Sequence, residues 1–248
     1  MRKKVEKACF GKPTGAMVTP TEFVQRATPQ YKAKGILPYC KACNEVVHVY
    51  GVHSPNPNTT PRFDHADRAP DADELDDCVL ANRSSRQKGL EPSDWDDQRA
   101  EMLRARFFDE DNLRTAYGFC LALCRKGNLP AEKFRSMVRR ADKKRIWAYA
   151  DIPVWAIPYV LLTLENFVAK KKDGGTYDFH FIFDKPRKTT AAALWERSSE
   201  CRIVKVFQSS GELVTADDNP FPVSAKALAA KAGDVSWIRP EFLQLLAV

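Results

Sequence analysis

The run Tyr39-Cys40-Lys41-Ala42-Cys43 restricts the fold more than any other feature of the chain. It is a Cys-x2-Cys knuckle, a tight turn that lets two thiolates converge on one ion. Three of the four histidines, His48, His53 and His65, fall within the next 22 residues, and Cys78 then supplies a third thiol. Cys40, Cys43, His65 and Cys78 make a Cys3His set with the spacing Cys-x2-Cys-x21-His-x12-Cys. Four soft or borderline ligands suit tetrahedral zinc, and a closed set of four leaves no position for a reactive water; a structural Zn2+ site is therefore expected. His65 is preferred because Arg62-Phe63-Asp64-His65 reads as a strand end able to return to the knuckle. His48 lies in the strand pattern Val46-Val47-His48-Val49-Tyr50, where alternation can equally turn it to solvent. His48 or His53 in place of His65 would still give a metal site. The competing reading takes the two knuckle cysteines as incidental and the histidines as surface residues.

The surroundings of the knuckle favour a metal. From Gly35 to about Arg86 prolines recur at Pro55, Pro57, Pro61 and Pro70, and no continuous hydrophobic period is present. Such a segment buries little apolar surface by itself, a situation in which a structural metal acts as a staple. The seven cysteines are an odd number, and in a reducing compartment they read first as ligands, reactive thiols or core residues.

The 248 residues are 44% hydrophobic, enough for a core and enough to argue against wholesale disorder. The longest apolar stretch, Ile152 to Leu164, spans 13 residues and contains two prolines, short of the roughly 20 residues of a spanning helix. After Met1-Arg2-Lys3-Lys4, the residues Glu6, Lys7 and Gly11 interrupt any apolar centre of a secretory signal, so a cytoplasmic location and no membrane partner are expected.

The pattern along the chain predicts an α+β fold: an N-terminal zinc-ribbon module, a helical middle, and a small C-terminal antiparallel sheet with helices. The expected divisions are 1–88, 89–150 and 151–248. Thr19-Pro20-Thr21-Glu22 is a helix start. Pro92-Ser93-Asp94 opens two helices that end near Gly127, and a basic amphipathic helix follows from Pro130 to Trp147. Tyr177 to Phe183 reads as a strand, Arg202 to Phe207 and Glu212 to Thr215 as a hairpin, and Ala225 to Ala232 and Pro240 to Leu246 as short helices.

Tyr39-Cys40-x-x-Cys43, a strand and turn, Phe63-Asp64-His65 and the later Cys78 together resemble the N-terminal zinc ribbon of the competence-protein CoiA-like family. The likeness covers about 45 residues, roughly a fifth of the chain. It implies a protein that handles DNA, in a setting such as bacterial mobile elements or phage defence. The chain departs from that pattern in its long proline-rich insertion between knuckle and histidine. The nuclease residues that follow the ribbon in that family have no counterpart found downstream, so enzyme status does not carry over.

A metal-dependent nuclease of the common kind needs an acid on one strand and Glu-x-Lys on the next. Asp178 and Asp184 border one predicted strand, but Glu200 and Lys205 are too far apart to share a strand face in the required way. His180 alternates with aromatics and reads as a packed strand residue. No dinucleotide-binding glycine pattern, phosphate loop or nucleophile elbow is present. Cys120 and Cys124, four apart on a helix beside Leu121 and Tyr117, read as core.

Charge points to the partner. Lysine and arginine exceed the acids by seven over the whole chain. Between Arg125 and Arg145 lie Arg125, Lys126, Lys133, Arg135, Arg139, Arg140, Lys143, Lys144 and Arg145 against only Glu132 and Asp142. Such a helix can lie along a phosphate backbone, with Lys170-Lys171-Lys172 and the loop residues Lys185, Arg187 and Lys188 widening the patch. The competing reading is a solvated helix face. An acidic run, Asp71, Asp73, Glu74, Asp76 and Asp77, adjoins Cys78 and reads as a helix start or as a docking surface for a basic protein.

The expectation is a zinc-containing protein that binds DNA or RNA and works with other protein subunits, as a non-catalytic part of a bacterial nucleoprotein complex of the phage-defence (CRISPR-like) or mobile-element kind. The alternatives are a diverged metal-dependent nuclease and a protein-binding adaptor or inhibitor that uses its acidic strip.

Overall fold

The computed structural model describes all residues except 1–4, 28, 68–72, 82–85, 87–89, 125–128, 171–173, 187–189, 197–199, 217 and 248. The fold is mixed α and β, with eight α-helices and three antiparallel sheets among the described residues. The chain forms two compact units, Met1–Ser85 and Arg86–Val248.

In the first unit β1 (Ala8–Phe10) pairs on one side with β2 (Met17–Val18) and on the other with β3 (Pro38–Tyr39). Helix α1 (Pro20–Arg26) follows β2 and begins at a full capping box, in which Thr19 accepts from the Glu22 backbone and Glu22 returns the bond. Two longer strands, β4 (Val47–Tyr50) and β5 (Arg62–His65), form a hairpin with Val47 opposite His65 and Tyr50 opposite Arg62. The core of this unit is aromatic. Phe23 of α1 and Phe63 of β5 are fully buried, and the Phe23 ring meets Phe10, Tyr31 and Phe63 at centroid distances of 5.3, 5.3 and 6.1 Å.

The second unit is built on α3 (Glu110–Cys124), where Ala116 to Cys120 are all buried. Around it lie α2 (Asp97–Phe107), α4 (Ala131–Lys143), α5 (Ile157–Leu162), α6 (Ala191–Glu196), α7 (Ala225–Ala232) and α8 (Pro240–Leu246). Its sheet has the order β6 (Asn166–Lys170), β7 (Thr176–Asp184), β8 (Arg202–Phe207), β9 (Phe221–Pro222). Phe179 and Phe181 alternate into the core as the period of two requires, and Phe167 stacks on its cross-strand partner Phe179 at 5.5 Å.

Tertiary structure settles three segments. The apolar segment after Ile152 divides into a 3-10 turn, Val154–Ala156, and α5, and strand β6 follows it. Residues Glu212 to Thr215 form no extended strand element but do return along β8 as a hairpin, with a bridge from Val206 to Leu213 and backbone bonds from the Phe207 N–H to the Glu212 carbonyl at 2.9 Å and from the Val214 N–H to the Lys205 carbonyl at 3.0 Å. The Asn219 side chain joins this pairing, accepting from the Lys205 backbone N–H at 2.8 Å and donating to the Lys205 and Val214 carbonyls at 3.0 and 2.6 Å. The basic helix ends at Lys143, because Arg145 adopts a left-handed backbone (φ 54°) and a 3-10 turn, Ile146–Ala148, follows.

Candidate metal centre

Three local structures bring the four predicted ligands together. The first is the knuckle between β3 and β4. Its ends are tied by the Cys40 N–H to the Glu45 carbonyl and the Asn44 N–H to the Cys40 carbonyl, both 2.8 Å, and Asn44 closes the turn at φ 59°. An asparagine tolerates that left-handed conformation better than most side chains. The second is the hairpin. On β5 the period of two puts Phe63 and His65 on one face and Arg62 and Asp64 on the other. Phe63 is the buried anchor, so His65 is carried to the interior beside it. The third is the turn after a 3-10 segment, Glu74–Asp76, where the Ala81 N–H bonds the Cys78 carbonyl at 2.9 Å and the Leu80 N–H donates to Cys78 Sγ at 3.4 Å.

The result is a cluster in which Cys40, Cys43, His65 and Cys78 each offer one ligand atom, all within 4.8 Å of one another. Cys40 Sγ lies 3.8 Å from Cys78 Sγ, and Cys43 Sγ lies 3.4 Å from His65 Nε2. Cys40 and Cys78 are buried, while Cys43 and His65 close the outer side. The cluster could hold a metal ion, and it is the one group of three or more such ligands among the described residues.

His48 and His53 stand apart from it. Both are exposed, and His48 pairs with Asp64 on the outward face of the hairpin, as strand alternation from Val47 demands. Sequence spacing alone left these two open; strand parity turns His48 away from the cluster, and His53 lies in the exposed turn after β4.

The four side chains also couple strongly to one another. The Cys40 thiol is held far below the usual thiol range by hydrogen bonds from Cys43 and then Cys78. The Cys43 thiol is pushed far up, first by its bond to Cys40 and then by its bond to Cys78. Burial pulls His65 down, but its bonds to Cys40 and Cys78 and their negative charge outweigh that and raise it to about 10.

The remaining cysteines offer no second site of this kind. Cys120 and Cys124 are fully buried in α3, and burial raises both thiols. Burial likewise pushes Cys201 up to about 11. Of the carboxylates considered for a nuclease, Asp178 lies within β7 opposite Val168 and Asp184 is its last residue. Lys205, on β8, is 4% exposed and bonded to Asp218 at 3.0 Å.

The basic residues around α4 are largely committed within the second unit. Lys133 donates to the Asn166 carbonyl at 2.7 Å, and Arg135 and Arg139 both reach Glu132. Arg140 is paired with the nearly buried Glu165 at 2.6 Å and also bonds Ser136. Lys144 is 5% exposed, and Arg145 is paired with Asp97. Lys143 and Lys185 also make interactions of their own. Arg139, with a side chain 47% exposed, presents most to solvent among the arginines of α4. Arg125, Lys126, Lys171, Lys172, Arg187 and Lys188 lie outside the described residues, as does Asp71 of the acidic run. Within that run Asp73 caps the 3-10 segment by accepting from the Leu75 N–H, and Asp77 is buried.

No helix among the described residues is long and apolar enough to cross a membrane. No known protein family, curated protein or solved structure matches the chain.

Proposed function

We propose that the chain is a non-catalytic nucleic-acid-binding protein whose first unit is stapled by a structural zinc ion on Cys40, Cys43, His65 and Cys78. The observation that carries the zinc reading is the shape of the ligand cluster. Zinc–sulfur and zinc–nitrogen bonds of about 2.3 and 2.0–2.1 Å place tetrahedral S–S and S–N edges near 3.8 and 3.6 Å. The distances here are 3.8 Å for Cys40–Cys78 and 3.4 Å for Cys43–His65. Three thiolates and an imidazole are the donor set of structural zinc, and four protein ligands leave no site for a substrate or an activated water. The ion would supply folding free energy to a unit otherwise held by a few aromatic rings and short strands.

Nucleic-acid binding is supported by the excess of seven positive charges, which favours a polyanion, and by the likeness of the knuckle region to a DNA-handling ribbon. The setting that follows is a subunit of a bacterial nucleoprotein complex of the phage-defence or mobile-element kind, working in the cytoplasm. The nuclease alternative is less well supported, since Lys205 is tied to Asp218 in the interior. The adaptor alternative is less well supported as well, since Asp77 is buried and Asp73 spends its side chain on a cap.

The test is fluorescence anisotropy of labelled single- and double-stranded DNA and RNA across a salt series. Binding that weakens steeply with salt supports the reading, and absence of binding to every probe at low salt refutes it.

A further inference from the structure

The first unit offers a place where a nucleic acid would be held. A cleft of about 740 Å³ opens in the first unit, lined by Val24, Ala27, Tyr31, Tyr50 and His53 among others. Its volume is in the range of small-ligand pockets. One wall is the end of α1 and the segment after it; the other is the end of β4 and the turn that leaves it.

Each wall presents an aromatic ring that is already braced. Tyr31 meets the buried Phe23 edge-on at 5.3 Å. Tyr50 is 50% exposed and carries the Arg62 guanidinium over its ring at 4.0 Å. Arg62 is in turn held by both carboxylate oxygens of Asp64, at 3.0 and 2.9 Å. Asp64, Arg62 and Tyr50 form a relay along the outward face of the hairpin that fixes the ring before any ligand arrives. The turn behind Tyr50 is equally constrained. Gly51 has φ +80°, and a side chain there would meet Thr59 Cγ2 at 2.8 Å. Ordering these groups in advance lowers the entropy lost on binding.

The segments that carry the cleft lining are themselves free of acids. Residues 24–35 and 49–61 contain Arg26, Lys32 and Lys34 and no acid. All three are exposed, and among the described residues none is held in an ion pair. Glu22, one helical turn before Arg26, spends its carboxylate on the Thr19 cap. These cations are thus available to an outside anion, whereas Arg140, Lys144 and Arg145 in the second unit are not.

Braced aromatic rings and exposed cations from the same chain segments are the two components of sequence-tolerant single-strand recognition, in which bases stack and phosphates are neutralised. We infer that the cleft between Tyr31 and Tyr50 binds single-stranded nucleic acid, one base packing on Tyr50 and the backbone running past Arg26, Lys32 and Lys34. This rests on the nucleic-acid reading above and assigns it a surface. The stacking chemistry is common to DNA and RNA; parallel DNA and RNA probes distinguish them.

The test compares the full-length protein with Tyr50→Ala, Tyr50→Phe and the triple variant Arg26→Ala/Lys32→Ala/Lys34→Ala. The probes are labelled oligothymidylate and oligouridylate of about 12 nucleotides, within the span of a compact single-strand module, and duplexes of equal length. Unchanged metal content and protease resistance certify each variant's fold. Tyr50→Ala is expected to weaken single-strand binding about tenfold, the effect of losing one base–aromatic stack. Tyr50→Phe, which keeps the ring, should bind as the parent does. The triple variant should lower the slope of log K against log salt by about two, from three lost phosphate contacts. Single-strand binding that all the variants retain would overturn the inference and leave the nucleic-acid reading standing, as would binding confined to duplexes. Absence of binding by the parent chain to any probe would remove both.

Discussion

Cys43 Sγ and His65 Nε2 stand 3.4 Å apart although 21 residues separate them in the chain. The hairpin closes that gap: Val47, four residues after Cys43, is the register partner of His65. A one-residue slip of β5 would turn His65 outward and bring Asp64 to the cluster. The buried Phe63, two residues before His65, sets the register by anchoring the same face.

The parity of the hairpin predicts which histidine matters. His65→Ala should lose the metal, and His48→Ala and His53→Ala should keep it, because both lie exposed and away from the cluster. Metal content of the three purified variants, measured side by side, checks this. Retention in His65→Ala together with loss in His48→Ala would show that the hairpin is paired in another register.

Metal binding should release protons. Near neutral pH the metal-free cluster holds a proton on Cys43, which is pushed up, and on His65, raised to about 10. Both must leave before those atoms can ligate, so affinity should fall as pH drops. Zinc titrations by calorimetry in two buffers of different ionisation heat should give different apparent enthalpies. Equal enthalpies would mean that no proton is exchanged.

Arg139 and Arg140 are neighbours with opposite expected roles. Arg140 pairs with Glu165, whose side chain is 11% exposed, and Arg140→Ala removes the cation from that carboxylate, which keeps its bond from the Asn166 N–H. The expected cost is about 3 kcal/mol of unfolding free energy, typical of breaking a buried pair. Arg139 shares the exposed Glu132 with Arg135, and Arg139→Ala should leave stability nearly unchanged. Urea unfolding of both variants decides the matter. Equal midpoints would contradict the distinction.

Asp218 makes the second unit sensitive to acid. Burial raises this carboxyl, but its bonds to Lys231 and Lys205 outweigh burial and lower it below the ordinary value of 3.8. A carboxylate depressed by folding contributes stability above its unfolded value and loses that contribution as pH falls through its folded one. Unfolding free energy should therefore decline as pH falls below about 3.8, and Asp218→Asn should be less stable at neutral pH with a shallower acid decline. An unchanged acid profile in Asp218→Asn would place the acid sensitivity elsewhere.

Much of the site is legible from residue types and spacing, because a Cys-x2-Cys turn is a local structure and strand alternation is a local rule. Those two together place Cys40, Cys43 and His65. Cys78 is a longer reach, since it comes from a turn with no pattern of its own and is positioned by tertiary packing. The mixed α and β architecture and the helices at Pro20, Ala225 and Pro240 are likewise legible from caps and periodicity. The β6 strand hides in an apolar run that reads the same as helix or strand. The hairpin from β8 to Leu213 is legible from its turn, but nothing local announces that the Asn219 amide also bonds Lys205. Charge counting along α4 has a related blind spot. It counts Arg140, Lys144 and Arg145, but it cannot see Glu165 and Asp97 arriving from distant positions to engage two of them. The braced ring of Tyr50 is equally invisible, because it depends on the register that sets Arg62 opposite it.

The central claim is that zinc on the Cys3His cluster holds the first unit together. Metal analysis by plasma mass spectrometry, on protein purified without added metal, tests it most directly when paired with limited proteolysis of the same sample. One zinc ion per chain is predicted in the parent protein. Cys43→Ser and His65→Ala should lose it, with cleavage opening within residues 35–86 while the second unit stays resistant. A parent protein that carries no metal yet keeps the first unit protease-resistant would contradict the account.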